Sequence, residues 1–361
     1  MINIERIISS TKTPLFDKPI VIYGAGNTGQ AVCSHLQSQG REVVAFIDQN
    51  AEAMPHCLGK PVFTVEQCIQ NITLGSVDLL VGVHNRDVHM PPLIKGLNKY
   101  GFIDILTMID YTNVFPSDES FRYWLSPRSL FTNNKDKIIE LYGLFKEPIS
   151  VTWLDNIVQF RITGDYSCLP IPDIENQYTP PDLQRWCNPL RLIDCGAYIG
   201  DTMEQLMAHG YEIEKVLAFE PDLGNYSKLT TKFSDSDHIY LPCGVSSTNY
   251  LANFAASGGE GSHQVKEGGV SVQMVRIDDV MPNFKPNLIK MDVEGGEIDA
   301  LLGARNMIER TRPGLAVSLY HKPDDLWQIP LLIDSWNLDY KFFIRGHHHS
   351  SFDSVLYAFA S

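Results

Sequence analysis

The chain has 361 residues, of which 44% are hydrophobic and 20% are charged, and its formal net charge is −14. This composition is typical of a soluble globular protein with room for two domains, and the negative charge argues against nucleic acid or an anionic membrane as a partner. The apolar runs are too short for an integral membrane segment, and the N-terminus lacks the long apolar stretch of a signal peptide.

The seven cysteines are scattered and form no C-x-x-C pair. This usage suits a reducing cytoplasm and gives no zinc signature. We therefore expect a cytoplasmic protein. Nothing in the composition decides its oligomeric state, so a homo-oligomer stays open.

The first predicted unit is a strand, a glycine turn, a helix and a second strand. Pro19–Tyr23 is apolar, residues 24–29 read Gly-Ala-Gly-Asn-Thr-Gly, and a helical pattern continues to Gln39. Val43–Ile47 then ends at an acid, as in the β-α-β fingerprint of nucleotide-binding folds. The candidate nucleotide-site residues lie at the turn and at this strand end: Gly24, Gly26, Gly29 and Asp48. We expect a Rossmann-like domain over residues 1–112; NAD, a nucleotide sugar and a purely structural turn all stay open.

Residues 113–187 change character and predict a connecting arm of helical and extended segments. Asp118–Leu125 and Lys135–Leu144 have helical patterns, and a proline-bearing stretch with apolar anchors follows them. Gln177 and Tyr178 either line the ligand site of the next domain or only anchor the arm.

A second strand–turn–helix unit begins at Leu190–Cys195. The turn reads Asp194-x-Gly196-x-x-x-Gly200, and the second strand, Val216–Phe219, ends at Glu220. An acid about twenty residues past such a turn suits the two hydroxyls of a ribose. The spacing differs from G-x-G-x-x-G, in which close glycines admit a pyrophosphate. The alternative is an ordinary α/β turn that contains glycines.

The most distinctive downstream segment is Asn287–Glu297. Leu288–Met291 predicts a strand that contains Lys290, Asp292 closes it, and Glu294 follows two residues later. In a doubly wound sheet the fourth strand adjoins the first, so Asp292 should stand beside Gly196. Two carboxylates and an ammonium in one cleft suit acid–base chemistry or cation binding; a buried Lys–Asp pair that fixes the turn is equally open.

The C-terminal part predicts a fifth strand, Pro313–Leu319, and a closing pair, Tyr340–Ile344 and Ser354–Phe359. Three consecutive histidines, 347–349, lie between the closing strands. They cannot all face one point on an extended chain, so we favour a solvated turn over a metal site there.

Together these motifs resemble the FkbM-type S-adenosylmethionine (SAM)-dependent methyltransferases. The matching segments, in chain order, are residues 194–202, 218–221, 277–280, 289–297 and 312–313. Segments 161–166, 177–178, 320–321 and 345–348 also resemble members with an N-terminal Rossmann-like domain. The resemblance implies an α/β fold with a class I, seven-stranded, Rossmann-like methyltransferase domain over 188–361 and a smaller N-terminal Rossmann-like α/β domain. It also implies methyl transfer from SAM, commonly to a hydroxyl of a sugar, glycan or natural product, as in polysaccharide biosynthesis.

The resemblance also implies site residues. Those expected to bind SAM are Asp194, Gly196, Ala197, Tyr198, Gly200, Thr202, Glu220, Pro221, Ser246 and Asp292. Lys290, Asp292 and Glu294 occupy the acidic motif beside the methyl donor, with Asp292 and His321 as candidate bases. Asp292 or Glu294 is also a candidate ligand of an optional divalent cation.

One departure concerns the third predicted strand, 239–243. No acid follows it to hold the adenine amine, so backbone groups of 243–246 or the Ser246 side chain are expected to serve. The alternative functions are an NAD(P)-dependent oxidoreductase and a nucleotide-sugar-binding module, both using the N-terminal domain.

Overall fold

The computed structural model describes residues 2–116, 123–234, 237–254 and 269–360. The chain forms two compact units, each assembled from separate segments. Unit 1 comprises Met1–Ile138, Thr152–Pro172 and His348–Phe352, and unit 2 comprises Ile139–Val151, Asp173–His347 and Asp353–Ser361. The predicted domain boundaries at residues 112 and 187 divide the chain into continuous stretches, whereas each compact unit combines separate segments. Those boundaries therefore stay a prediction.

Unit 1 is built on a six-stranded sheet that follows the predicted β-α-β pattern. The elements up to residue 163 are α1 Ile4–Ser10, β1 Ile20–Tyr23, α2 Asn27–Ser38, β2 Val43–Ile47, β3 His56–Cys57, β4 Lys60–Phe63, α3 Val65–Asn71, β5 Asp78–Val81, α4 Met90–Lys99, β6 Ile105–Leu106, α5 Met108–Val114, α6 Ser129–Asn133, α7 Lys135–Leu144 and α8 Pro148–Thr163. The strand order is β3-β4-β2-β1-β5-β6. β1 pairs in parallel with β2 and with β5, so the glycine turn follows a central strand.

The arm differs from its prediction in two places. Helix α8 covers Pro148–Thr163, a stretch for which the sequence pattern predicts no element of this length. Its apolar residues are spread around the helix instead of forming one stripe, so the usual periodicity is weak. The predicted helix Asp118–Leu125 lies mostly outside the described residues, and residues 123–125 form a turn and a loop.

Unit 2 contains the second glycine turn. Its elements are β7 Leu190–Cys195, α9 Asp201–Ala208, β8 Ile213–Phe219, α10 Leu223–Lys232, β9 Ile239–Leu241, β10 Gly244–Val245, β11 Tyr250–Phe254, β12 Val270–Val275, α11 Ile277–Val280, β13 Leu288–Met291, α12 Glu297–Gly303, α13 Arg305–Thr311, β14 Gly314–Ser318, α14 Asp325–Asp334, β15 Tyr340–Gly346 and β16 Ser354–Ala360. The polar, glycine-rich sequence over residues 249–270 predicts a mobile loop, a sugar-facing insertion or a plain surface excursion. Its first part forms β11, and residues 255–268 lie outside the described residues.

The order of the main sheet in unit 2 is β15-β16-β14-β13-β7-β8-β9. The chain runs from β7 outward to β9 and then returns to β13 on the other side of β7. This reversal is the switch point at which doubly wound sheets bind ligands. β16 runs antiparallel to both of its neighbours. The seven-stranded sheet, together with the parallel-rich sheet of unit 1, confirms the predicted fold class.

The core of unit 2 explains why its sheet is stable. β7 and β8 bury Leu192 and Val216 completely, and Trp186 packs beside them with Tyr357. Strands covered on both faces read as continuous apolar runs, which is the pattern that predicts them. None of the helices in the described ranges combines the length and apolarity needed to cross a membrane.

Candidate active site

The turn after β7 brings two distant segments into contact. Gly196 has φ +76, and a Cβ there would overlap the carbonyl oxygen of Asp292 at the end of β13. Only glycine adopts this backbone conformation freely and leaves room for so close an approach. Asp292 therefore stands beside Gly196, where the switch-point argument predicted it.

A buried ion pair supports this turn. Lys290 and Asp194 are register partners on β13 and β7, and the Lys290 Nζ lies 3.1 Å from Oδ1 of Asp194. The ammonium also donates to the carbonyl oxygen of Gly196 at 2.6 Å. Burial raises the pKa of Asp194 to about 6 against the opposing effect of Lys290. Burial alone would lower the pKa of Lys290, but Asp194, Asp292 and Asp201 raise it, so both groups are charged at neutral pH.

Glu220 closes the other side of the turn. One carboxylate oxygen accepts from the N–H of Tyr198 at 2.8 Å, and the other accepts from the N–H of Asp222 at 2.9 Å. Burial raises the pKa of Glu220 to about 7, against these two backbone donors. Each oxygen keeps a further lone pair, so the carboxylate can accept hydrogen bonds from a vicinal diol.

Asp292 is surrounded by hydroxyl donors. The hydroxyl of Tyr178 lies 3.4 Å from its Oδ2, and the hydroxyl of Tyr320 lies 3.4 Å from its Oδ1. The indole N–H of Trp186 donates to the carbonyl oxygen of Tyr178 at 2.7 Å and holds that segment. Tyr178 is thus both an anchored residue and a neighbour of Asp292.

His321 lies between carboxylates on both sides of its ring. Its Nδ1 is 2.8 Å from Oε1 of Glu297, and its Nε2 is 3.4 Å from Oδ1 of Asp292 and 3.9 Å from Oε2 of Glu294. Burial alone would lower the pKa of His321, but Glu297, Asp292 and Glu294 outweigh it and raise the pKa to about 10. The ring therefore carries a proton on each nitrogen at neutral pH.

This cluster is also where a metal ion could be held. Asp292, Glu297 and His321 each offer one ligand atom, and these atoms lie within 4.8 Å of one another. A histidine and two carboxylates are suitable ligands for several divalent metals. The two carboxylates, however, face different nitrogens of the ring, which fits a shared proton better than a shared ion.

The other predicted SAM-site residues fall into two groups. Ala197, Tyr198, Gly200, Thr202 and Pro221 flank the turn or the start of the helix that follows a strand. Ser246 is different: it is buried after β10, and its N–H donates to the carbonyl oxygen of Val275 at 2.9 Å. The backbone N–H of Ser246 is thus already used within the three-stranded sheet β10-β12-β11.

Unit 1 presents the first glycine turn. Gly24 has φ +101, a Cβ at Gly29 would overlap the carbonyl oxygen of Gly24, and no atom lies within 4 Å of a Cβ placed at Gly26. Asp48 accepts from the N–H of Ala25 and from the N–H of Asn50, both at 2.9 Å. Packing thus explains Gly24 and Gly29, whereas Gly26 leaves its backbone accessible.

The three consecutive histidines do not form the expected solvated turn. His347 is fully buried, and its Nδ1–H donates to the carbonyl oxygen of Asp173 at 2.6 Å. His349 belongs to unit 1, where its ring stacks on His89 with centroids 4.4 Å apart. His347 and His349 belong to different units because β15 ends at Gly346, just before them.

Sequence reasoning gave no role to Glu297, Tyr320 or Asp325. Glu297 stood in the matching motif only as an acid in the first turn of a helix. Its side chain is completely buried, whereas acids in the first turn of a helix are usually exposed. In the sequence Glu297 stands in an acid-rich segment, and nothing in that pattern separates a buried acid from a solvated one.

Comparisons with known proteins agree with this architecture. Residues 194–352 match the family described as the methyltransferase FkbM domain. A 102-residue stretch is 30% identical to the hexuronic acid methyltransferase AglP of Haloferax volcanii, and covers 26% of this chain but only 43% of that protein. The crystal structure of methyltransferase FkbM from Methylobacillus flagellatus superposes with a TM-score of 0.76, covering 99% of this chain and 93% of that one, at 22% identity. The last match shows that the fold is shared.

Proposed function

We propose that this chain, whose residues 194–352 belong to the FkbM methyltransferase domain family, transfers the methyl group of SAM to a hydroxyl of a sugar, glycan or natural product. The observation that carries the proposal is the pair of acids flanking the turn at Gly196. Glu220 follows β8 and Asp292 follows β13, and these strands are the two neighbours of β7.

The charges around the turn suit SAM better than a dinucleotide. SAM is a nucleoside with a sulfonium and an amino acid, and it has no phosphate. The first turn of α9 carries Asp201 and Glu204, which favour a cation and repel a phosphate. Glu220 would accept hydrogen bonds from the ribose hydroxyls, and the turn at 196–200 would lie against the nucleoside.

When bound, SAM supplies an electrophilic methyl group and departs as a neutral thioether. The chain must position the acceptor hydroxyl and receive its proton, because an alcohol is a weak nucleophile at neutral pH. We assign proton acceptance to Asp292, since the raised pKa of His321 keeps that ring protonated and makes it a donor toward Asp292. Lys290 is held by Asp194 and the Gly196 carbonyl, so its role is to shape the turn.

The charges around His321 also favour one kind of acceptor group over another. Asp292, Glu294 and Glu297 surround one imidazole, and such an environment disfavours an anionic acceptor group. A carboxylate needs no base to accept a methyl group, whereas a hydroxyl does. We therefore favour a neutral hydroxyl as the acceptor. The hexuronic acid relative supports a sugar as its carrier, although a hexuronic acid also offers a carboxylate, which these charges disfavour.

Two substitutions test this proposal. Glu220→Ala should lower SAM affinity by about 1.5–3 kcal/mol, the scale of a hydrogen bond to a charged group, when measured by calorimetry. Asp292→Asn should slow turnover by about 10²-fold or more and spare SAM binding. Asp48→Ala, which removes the equivalent acid of unit 1, is the matched control and should leave SAM affinity unchanged. Equal SAM affinity in Glu220→Ala and the control would remove Glu220 from the site.

We keep the divalent cation as a separate question. Asp292 or Glu294 could hold one, and it would polarise the acceptor oxygen. Dialysis against a chelator, followed by addition of Mg²⁺ or Mn²⁺ to the parent protein, tests this directly. Full activity after dialysis would exclude the requirement.

A second candidate function concerns unit 1. The first turn of α2 carries no acid, in contrast to α9, and Gly26 leaves an accessible backbone next to Asp48. These features suit the diphosphate and ribose of NAD or a nucleotide sugar. NAD, NADP and UDP-sugars should each be tested for a rise in melting temperature. A shift with NAD alone would support an oxidoreductase, and a shift with nucleotide sugars alone would support a binding module.

A further inference from the structure

We propose that Glu297 is a positioning residue of the methyl-transfer site and acts through His321 on Asp292; this inference rests on the function proposed above. Glu297 is the first residue of α12 and is completely buried. Its Oε1 accepts from the N–H of Val293 at 2.9 Å and from Nδ1–H of His321 at 2.8 Å.

The consequence lies on the other side of the ring. A histidine whose Nδ1–H is held by a carboxylate has a fixed orientation, and its second nitrogen then points in one direction. In this chain Nε2 points toward Oδ1 of Asp292 at 3.4 Å. Glu297 thus determines which nitrogen meets the group assigned to accept the proton.

A purely structural role does not account for this burial. An acid in the first turn of a helix is already stabilised at the surface, so the helix dipole by itself does not require burial. Placing a carboxylate in the interior is strongly unfavourable unless a good partner is present. Asp325 lies in the same interior region, where burial first and Glu297 second raise its pKa to about 7, so a second acid adds to the unfavourable charge. The Nδ1–H of His321, 2.8 Å from Oε1 of Glu297, is the side-chain partner that the structure provides for this buried carboxylate.

Kinetics of one isosteric variant test the inference. Glu297→Gln keeps the size and an acceptor atom but removes the charge. We expect kcat to fall by about 10- to 100-fold, less than the roughly 10²- to 10⁴-fold effect of an acid or base itself, while the Kd for SAM changes less than about twofold. Glu309→Gln, which removes an exposed charge paired with Arg305, is the matched control. A kcat equal to that of the control overturns the inference.

A double-mutant cycle separates positioning from folding. If Glu297 acts through His321, adding Glu297→Gln to His321→Gln should lower kcat no further, because the pathway is already broken. Additive losses would mean that Glu297 supports the fold independently. Dependence of the parent enzyme on Mn²⁺ after chelation, weakened in Glu297→Gln, would make Glu297 a metal ligand and would also overturn the inference.

A measurement on the unmodified protein covers the case in which the variants do not fold. Nitrogen-15 NMR of the histidine side chains should show Nδ1 of His321 protonated at pH 7, with that proton shifted strongly downfield by the carboxylate of Glu297. A neutral ring protonated only at Nε2 would overturn the inference. If the parent protein neither binds SAM nor transfers methyl groups, the proposed function fails instead, and the NMR result still reports on the pair.

Discussion

The two glycine turns of this chain make equivalent hydrogen bonds, but the residues beside them carry different charges. In unit 1, Asp48 accepts from Ala25 in the turn and from Asn50 two residues beyond itself. In unit 2, Glu220 accepts from Tyr198 in the turn and from Asp222 two residues beyond itself. An acid that ends the second strand therefore stabilises the turn in both units, and its presence alone does not identify a ligand.

The difference lies in the charges next to each turn. The helix after the first turn begins without an acid, whereas the helix after the second begins with Asp201 and Glu204. The strand beside the second turn contributes Lys290 opposite Asp194, whereas β5 places Val81 opposite Tyr23 at the end of β1. These charges underlie the proposal of a phosphate-bearing ligand in unit 1 and a sulfonium in unit 2.

The largest expected change in stability comes from breaking the Lys290–Asp194 ion pair beside the second turn. Lys290→Met should lower the free energy of unfolding by about 3–5 kcal/mol, because it leaves Asp194 buried without its counter-ion. Chemical denaturation measures this, with Tyr23→Phe at the matching strand end of unit 1 as the control. The double variant Lys290→Met/Asp194→Leu should recover much of the loss. A single variant as stable as the control would contradict the role of the pair.

The next largest effect is the difference in stability between substitutions at Gly29, which is closely packed, and at Gly26, which is not. Gly29→Ala should lower stability by about 1–3 kcal/mol, the scale of overpacking, because its Cβ would overlap the Gly24 carbonyl. Gly26→Ala should leave stability within about 0.5 kcal/mol, since its φ of −76 suits any residue and no neighbour is near. Thermal denaturation compares the two. Equal losses would mean that Gly26 also serves packing, and the case for a ligand in unit 1 would weaken.

The pH dependence of SAM binding distinguishes Glu220 in unit 2 from Asp48 in unit 1. The pKa of Glu220 is raised from 4.5 to about 7, so the folded ligand-free chain holds a proton that the unfolded chain releases. This stabilisation is complete below pH 4.5 and is lost as the pH rises through about 7. Ribose hydroxyls bond better to the ionised carboxylate, so SAM affinity should rise by up to about tenfold between pH 6 and 8. Calorimetry should show this rise in the parent and in Asp48→Asn, but not in Glu220→Gln.

The smallest effect concerns the helix starts. Asn27→Asp adds an acid to the first turn of α2, and Asp201→Asn removes one from α9. Each change should alter the affinity for its own ligand by about 0.3–1 kcal/mol, weakening a nucleoside diphosphate in unit 1 and SAM in unit 2. Affinities measured in low salt, where screening is least, give the sharpest comparison. A change in SAM affinity caused by Asn27→Asp would contradict the assignment of separate ligands.

Much of the fold was predictable from local patterns. β2, β7, β13 and α7 have the bounds that the sequence predicts. For the strands, apolar runs ending in glycine or an acid mark the ends clearly. Helix α8 was missed because its apolar residues do not lie along one face. The three-stranded sheet was missed because Gly244–Val245 is too short to register as a strand.

The site was predictable only in part. The switch-point rule placed Asp292 beside Gly196 from strand order alone. It could not show that Glu297 faces His321, that Tyr178 reaches Asp292 from another segment, or that the N–H of Ser246 is already bonded. The assignment of these and the other site residues to SAM binding or catalysis stays a prediction.

The sequence by itself determined the two strand–turn–helix units, their glycines and the acids at their strand ends, because these depend on backbone conformation and on neighbours close in the chain. The tertiary structure alone decided which carboxylates share one imidazole and which aromatic hydroxyls reach Asp292. Tyr178 and Asp292 are 114 residues apart, so their contact follows from the packing of whole segments. Local patterns do not encode the direction in which a buried side chain points, and that direction decides which groups meet at this candidate site.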